Sequence, residues 1–497
     1  MTQFDADLLS MQQARDMAIA ARQAWLQWRE ASQAQVDRVC EAMAMAAYRE
    51  SERLGRLASE ETGYGVPEHK TLKNHLCSKI LWERIKDTRT VGVIRHDPEN
   101  HIYDIAWPYG IVAALTPSTN PTSTVMFKTL IAVKGRNAII VAPHPAAVQC
   151  CVETMRVMTV AAVAAGAPEG LMACMSHVSL PGTQELMRHR YTALILATGG
   201  SAMVKAAHSV GKPAYGVGPG NVPCYVDRSA NVEQAARYIV ASKAFDYSVI
   251  CATEQAVIAD RPIARELEHA MTANGAYFVD DAQARALADA LFFPNGGINA
   301  EAVGKSPQQL AAMADITVPE SARILVARLE RTGRDEPLSR EKLTTVLGWY
   351  EADGWEAGCE RCIDLINFGG RGHSLVIHAE DDEVIMRFGL EKPVFRIVAN
   401  TMGTLGTTGL TTGLMPSMTL GSGGVGGSIT GDNIGVQHMF NVKRLAYQTH
   451  APPAAAMQGS AGGRGALHAQ PDGPRPRIPS QSEIDAAVAR VLHDLKQ

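Results

Sequence analysis

The 497-residue chain is too long for one ordinary core and implies two or three domains. Hydrophobic residues at 46% and charged residues at 20% describe a globular protein, and a net charge of -4 supplies neither a basic field for nucleic acid nor a strongly acidic tail. Nine scattered cysteines exclude a disulfide scaffold and fit reduced thiols in a cytosol.

The opening MTQFDADLLSMQQARD has acidic residues early and no basic stretch before an apolar one, so no signal peptide is expected. Residues 6–62 carry helical periodicity through Leu8, Met11, Ala14, Ala18, Ala21 and Trp25, and Gly63-Tyr64-Gly65 ends the run. From 90 to 108, TVGVIRH and HIYDIAW read as strands around a turn at Asp97-Pro98-Glu99-Asn100. An uncovered hairpin of that kind offers an edge for assembly.

Between 110 and 226 the text alternates: strand 110–115, helix 122–134, strand 137–141, helix 146–166, strand 193–198, helix 201–209. That alternation predicts a parallel α/β sheet with its ligand crevice at the carboxyl ends of the strands. The apolar run 155–165 contains Arg156 and is short of the ~20 residues a membrane span needs, so no membrane association is expected. A second α/β unit is expected over 227–400, with helices at 232–244 and 264–271. The CERC of Cys359 and Cys362 falls in an amphipathic helix over 355–367 with no second CxxC, which makes it structural and implies no metal site. The glycine-rich 401–431 reads either as a flexible loop or as one that brings backbone close to a ligand.

After Gln448 the composition changes. Residues 449–479 are Ala-, Gly- and Pro-rich without periodicity, a disordered linker. In 480–497, Ile484, Val488, Val491, Leu492 and Leu495 share one helical face behind a Ser480/Glu483 capping box. So short a helix is marginal alone and should fold on a partner.

The chemistry centres on Cys251, in FDYSVICATEQAV, where a loop thiol precedes an apolar strand. By itself such a cysteine is usually an inert buried thiol. Its company changes that reading. ALTPSTNPTSTVMFKTLIAVKGRNAIIVAPHPAA (114–147), ATGGSAMVKAA (197–207) and FDYSVICATEQ (245–255), in this order, resemble the aldehyde dehydrogenase superfamily over about 5–448, and its CoA-acylating branch most closely. The resemblance implies an α/β fold: a Rossmann-type cofactor domain over 1–226 that includes the 90–108 oligomerisation hairpin, an α/β catalytic domain over 227–400, and a β oligomerisation element within 401–448.

It also implies roles. Cys251 matches the nucleophile, and the Asn120 side-chain amide joins the Cys251 backbone N–H in the oxyanion hole. Thr116, Pro117, Ser118 and Gly218 are expected beside the cofactor, with Thr198, Gly199, Gly200 and Ser201 at its pyrophosphate. His144 and Pro145 are expected near the adenosine ribose and Glu341 on the nicotinamide ribose, while His373 takes or relays a proton. Where hydrolytic relatives carry a general-base glutamate, this chain has Gly216, so the acyl group should pass to coenzyme A rather than to water. The cofactor is expected to be NAD, with NADP open, and the substrate a short-chain aldehyde, acetaldehyde or propionaldehyde by default. Rival readings are an acylating sulfoacetaldehyde dehydrogenase using Arg371 or Arg396, a hydrolytic enzyme using Glu254, and an inactive cargo or scaffold protein. A homo-oligomer is expected. The 480–497 helix resembles encapsulation peptides that bind bacterial microcompartment shells, which implies a cytoplasmic enzyme inside such a compartment; docking on its own body is the alternative.

Overall fold

The computed structural model describes residues 5–457, which divide into a compact unit ending at Ala446 and a separate segment beginning at Tyr447. The periodic N-terminal run is three helices, α1 (Ala6–Trp28), α2 (Gln33–Arg49) and α3 (Ser51–Thr62). The breaks are local. Ser32 and Gln35 form a capping box that starts α2, and Gly63, at φ 67°, closes α3 in the left-handed region that favours glycine. α4 (Pro67–His75) continues through a π turn into α5 (Leu81–Ile85). The expected hairpin follows as β1 (Val93–Asp97) and β2 (Ile102–Pro108).

The next segment runs β3 (Ile111–Thr116), α6 (Pro121–Lys134), β4 (Ala138–Pro143), α7 (Val148–Ala164), β5 (Met172–Cys174), α8 (Leu180–Arg188), β6 (Thr192–Thr198), α9 (Ser201–His208) and β7 (Ala214–Val217). Its parallel sheet has the order β5-β4-β3-β6-β7. Every residue of β3 and β4 is buried, as in a sheet covered on both faces, which explains their unbroken apolar runs. The chain winds outward from β3 to β5 and restarts on the other side at β6, so a crevice opens between β3 and β6. Lys128 holds those two strands together there, donating to the Leu115 and Leu196 carbonyls at 2.6 and 2.9 Å. The stretch Pro145–Ala164 has the length and apolarity of a membrane span. It is a layer helix here, burying Cys150, Cys151, Thr154, Met155, Met158 and Ala162.

The second sheet is built from β8 (Val222–Val226), α10 (Val232–Ala244), β9 (Glu254–Asp260), α11 (Ala264–Ala273), β10 (Ala276–Phe278), β11 (Ile324–Arg328), β12 (Val346–Ala352), β13 (Leu375–His378) and β14 (Ile397–Ala399). Its parallel order is β10-β11-β12-β9-β8-β13-β14. Because β8 pairs with β9 and β13, the change of sheet falls at 218–221, earlier than the 226/227 boundary read from the sequence. The last strand, β15 (Phe440–Ala446), pairs with β2 and completes a three-stranded antiparallel sheet, β1-β2-β15.

The glycine-rich stretch is an ordered loop packed on its own protein. A Cβ on Gly426 would stand 2.3 Å from the Arg371 carbonyl, and one on Gly421 the same distance from that of Thr430. Backbone does approach closely here, but it approaches other backbone. Within the expected linker, Ala454–Met457 forms a single helical turn. The rest of that linker and the 480–497 helix lie outside the described residues.

Candidate active site

The carboxyl ends of the first sheet face the amino ends of the second, and a cleft of about 230 Å³ lies between them. Pro117, Ser118 and Asn120 follow β3, His144 follows β4, Thr198 to Gly200 end β6, and Gly218 follows β7. Cys251 precedes β9 and Glu341 precedes β12, so the catalytic sheet contributes loops entering its strands rather than leaving them. Four expected residues are not in the wall: His373, which stands behind Cys251, and three others. Thr116 is buried, its Oγ1 3.7 Å from Cys151 Sγ beneath α7. Pro145 opens the turn before α7 and lines a neighbouring cavity, while Ser201 is exposed at the head of α9.

Cys251 is half-buried. The loop leading to it passes through Asp246, Tyr247 and Ser248 at φ 49°, 48° and 69°, three consecutive non-glycine residues in a conformation L-residues avoid. On its other side Gly220 packs so closely that a Cβ would lie 2.3 Å from the Cys251 carbonyl. His373 sits behind the sulfur, 1% exposed, with Nε2 3.2 Å from Sγ. Its Nδ1 meets Ser374 Oγ at 3.0 Å, and Ser374 Oγ accepts from Arg396 Nε at 3.4 Å. A guanidinium only donates, so among the described residues Nδ1 is the acceptor left for the Ser374 hydroxyl hydrogen. That assignment puts the imidazole proton on Nε2, facing sulfur.

Arg396 is 2% exposed and spends its N–H groups on the carbonyls of His373 (2.9 Å), Gly431 (2.8 Å) and Gly421. Arg371 is exposed and also outside the cleft wall. Neither arginine is placed to hold a sulfonate.

Burial governs the electrostatics. It pushes the Cys251 thiol up to about 12, reinforced by Glu341 and opposed by Arg396. It brings His373 down to about 3, with Arg396 adding to the effect, so the imidazole is neutral. Glu341 rises to about 7 through burial, although the Gly220 N–H, which donates to its Oε1 at 2.9 Å, and the nearby Lys243 and Lys342 pull the other way. Glu254, the local carboxylate a hydrolytic rival would need, accepts from Ser242 Oγ at 2.6 Å and the Gly403 N–H at 2.7 Å, fully buried. Gly216 does not face the sulfur either: a Cβ there would meet His208 and Val204 of α9.

Asn120 lines the cleft. Its Oδ1 accepts from Lys73 Nζ at 2.6 Å, while Nδ2 donates to Thr119 Oγ1 and to the Val249 carbonyl, both at 3.1 Å. Lys73, Lys70 and their shared partner Asp246 went unseen in the sequence. Lysines three apart on a short polar helix look like surface residues, and nothing local marks them as buried. The wall residues Thr124, Ile250, Thr408, Met418 and Leu420 were missed for the same reason: only the tertiary fold assembles them.

The aldehyde dehydrogenase family pattern matches residues 4–284. Aldehyde-alcohol dehydrogenase 2 of Entamoeba histolytica is 39% identical over 426 residues, covering 84% of this chain and 49% of that protein, so the chain spans about half the length of the first curated relatives it matches. A crystal structure of an acetylating aldehyde dehydrogenase from Geobacillus thermoglucosidasius is 46% identical, with TM-score 0.89 over 91% of this chain and 100% of that one. A Rhodopseudomonas palustris propionaldehyde dehydrogenase, solved with bound CoA and an acylated cysteine, is 26% identical, with TM-score 0.79 over 87% of this chain and 97% of that one. A half-buried thiol between two facing parallel sheets, a cleft-lining amide and these matches agree: the chain belongs to the aldehyde dehydrogenase family.

Proposed function

We propose that the protein converts short, uncharged aldehydes and coenzyme A to acyl-CoA, with NAD as the hydride acceptor and Cys251 as the carrier of the acyl group; the reverse reduction follows the same path. The observation that carries this reading is the contact of Cys251 Sγ with Nε2 of a neutral His373, in a cleft whose one acidic wall residue among the described residues, Glu341, is engaged by the Gly220 N–H.

The residues fit a dinucleotide. Gly200 and Gly218 have open space where a Cβ would project, and α9 begins beyond Gly200 without a side-chain cap, leaving its first N–H groups for a phosphate. Thr198 to Gly200 would hold the pyrophosphate, Glu341 the nicotinamide ribose, and the bound nicotinamide accepts hydride. NAD is favoured over NADP by Glu61, whose carboxylate accepts from the Gln149 and Cys150 N–H groups at 2.8 and 2.7 Å. The positive end of α7, just past His144, already carries a negative charge there, and a 2′-phosphate would be repelled.

The chain's own groups then divide the work. Cys251, its thiol proton having gone to solvent, adds as thiolate to the aldehyde carbon while the Asn120 amide, released from Thr119 or Val249, and the Cys251 backbone N–H receive the oxyanion. Once the thioester has formed, coenzyme A attacks as thiolate, its proton having gone to solvent. Cys251 leaves as thiolate, and His373 Nε2–H donates to it. In this reading His373 stabilises a leaving group, whereas the sequence reading had it take or relay a proton. Water is a poor competitor because, among the described residues, no free carboxylate lines the cleft to deprotonate it. Uncharged substrates are favoured because, among the described residues, no lysine or arginine lines the cleft.

The three-stranded sheet exposes Trp107, Val442 and Leu445 and is proposed as the contact between copies in a homo-oligomer. The 480–497 segment is proposed to tether the enzyme to a microcompartment shell, supported by its one-sided apolar pattern.

Acetaldehyde and propionaldehyde assayed with NAD, with and without coenzyme A, test the central reading. Acyl-CoA should form one-to-one with NADH, and without coenzyme A free acid should appear at no more than about a hundredth of that rate. Equal turnover to acid without a thiol would overturn the assignment, as would acyl-CoA formation by Cys251→Ser at the parent rate.

A further inference from the structure

Next to Asn120 lies a buried charge cluster that no step above uses. Lys70 and Lys73, one turn apart on α4, are 2% and 3% exposed and both meet Asp246, which is fully buried. Two ammonium groups on one carboxylate leave a surplus positive charge in a place shielded from water, an expensive arrangement that one lysine would have avoided. The second N–H of each lysine shows where that charge is directed. Lys70 donates to the Thr119 carbonyl at 3.2 Å, and Lys73 donates to Asn120 Oδ1 at 2.6 Å. Asp246 in turn accepts the Val66 N–H at 2.6 Å and gives its own N–H to His69 Nδ1 at 2.9 Å, which anchors the left-handed run 246–248 that leads to Cys251.

We propose that Lys73 is a positioning residue for the oxyanion hole: held by Asp246, its ammonium fixes the flip of the Asn120 amide and strengthens it as a donor. The oxygen and nitrogen ends of an amide are nearly the same shape, so only hydrogen-bond partners decide which way it faces. A lysine accepts nothing, so only Oδ1 can face it, and Nδ2 is turned to the Val249 carbonyl, two residues before the nucleophile. The cation on Oδ1 also withdraws electrons from the amide, and bonds in series reinforce one another where water is excluded. The donor is therefore oriented and polarised before the aldehyde oxygen becomes anionic, and only one N–H, the one to Thr119 or to Val249, is exchanged for the oxyanion at that moment. Lys70 touches backbone and Asp246 but not the amide. It serves as the counter-charge that keeps Asp246 paired.

The inference rests on the thioester chemistry proposed for Cys251. Its test compares Lys73→Met with Lys70→Met, each alone and combined with Asn120→Ala; either single change leaves Asp246 with one lysine. Lys73→Met should lower kcat for aldehyde oxidation about 100-fold with the aldehyde KM within about threefold, whereas Lys70→Met should cost only a few-fold. In the Asn120→Ala background Lys73→Met should have no further effect, because the amide it orients is gone. The iodoacetamide reaction of Cys251 should match the parent in Lys73→Met, showing an intact nucleophile loop. Equal losses in the two lysine variants, or an undiminished Lys73→Met effect without Asn120, would overturn the assignment and leave the cluster a folding device. A parent enzyme with no CoA-dependent NAD reduction would instead overturn the chemistry on which it rests.

Discussion

A thiol that must act as a nucleophile sits where burial opposes its ionisation. Cys251 is pushed up to about 12, and the imidazole beside it is held neutral, so the pair is not a preformed thiolate–imidazolium couple. The sign of the pH dependence follows. Below its pKa a thiol is protonated, and the reactive thiolate fraction grows tenfold per pH unit until that pKa is reached. Iodoacetamide inactivation of the free enzyme should therefore accelerate about tenfold per unit from pH 7 to pH 9 without levelling. A plateau near pH 7 would reveal a thiolate already formed. Sequence placed Cys251, Asn120 and Glu341 in one cleft and named His373, but the direction of the His373 proton came from Ser374 and Arg396, which carry no local mark of their role.

Among the elements, the entry to α7 carries the proposed preference for NAD over NADP. The sequence reading expected the ribose near His144 and Pro145, yet the charge at that helix end comes from Glu61 on α3, 88 residues before Gln149. Glu61→Gln keeps an acceptor for the N–H groups while removing the charge. It should raise kcat/KM for NADP about tenfold relative to NAD, roughly 1.4 kcal/mol, and should tighten NADPH in a fluorescence titration by a similar factor. An unchanged preference in both measurements would show that Glu61 only caps the helix. Within 110–226 the sequence reading did not separate β5, α8, β7 or β8; β5 and β7 have three and four residues, too few for a periodic pattern to register. Long, fully buried strands such as β3 and β4 were legible because an unbroken apolar run can mean little else between two helices.

For the whole molecule, every residue proposed to take part in the chemistry lies in the compact unit ending at Ala446. Removal of 449–497 should leave kcat and KM within about twofold of the parent and abolish co-sedimentation with shell protein. Loss of activity on truncation would assign the segment to the enzyme body instead. Periodicity, turn residues and motif order sufficed to read the α/β class, the order of many elements and a candidate nucleophile, because these depend on residues close together along the chain. The three-dimensional fold decided which loops face one another, which lysines are buried, and which N–H each acceptor receives. These depend on backbone direction at strand ends and on exclusion of water between distant segments, and neither quantity is defined until both sheets have packed.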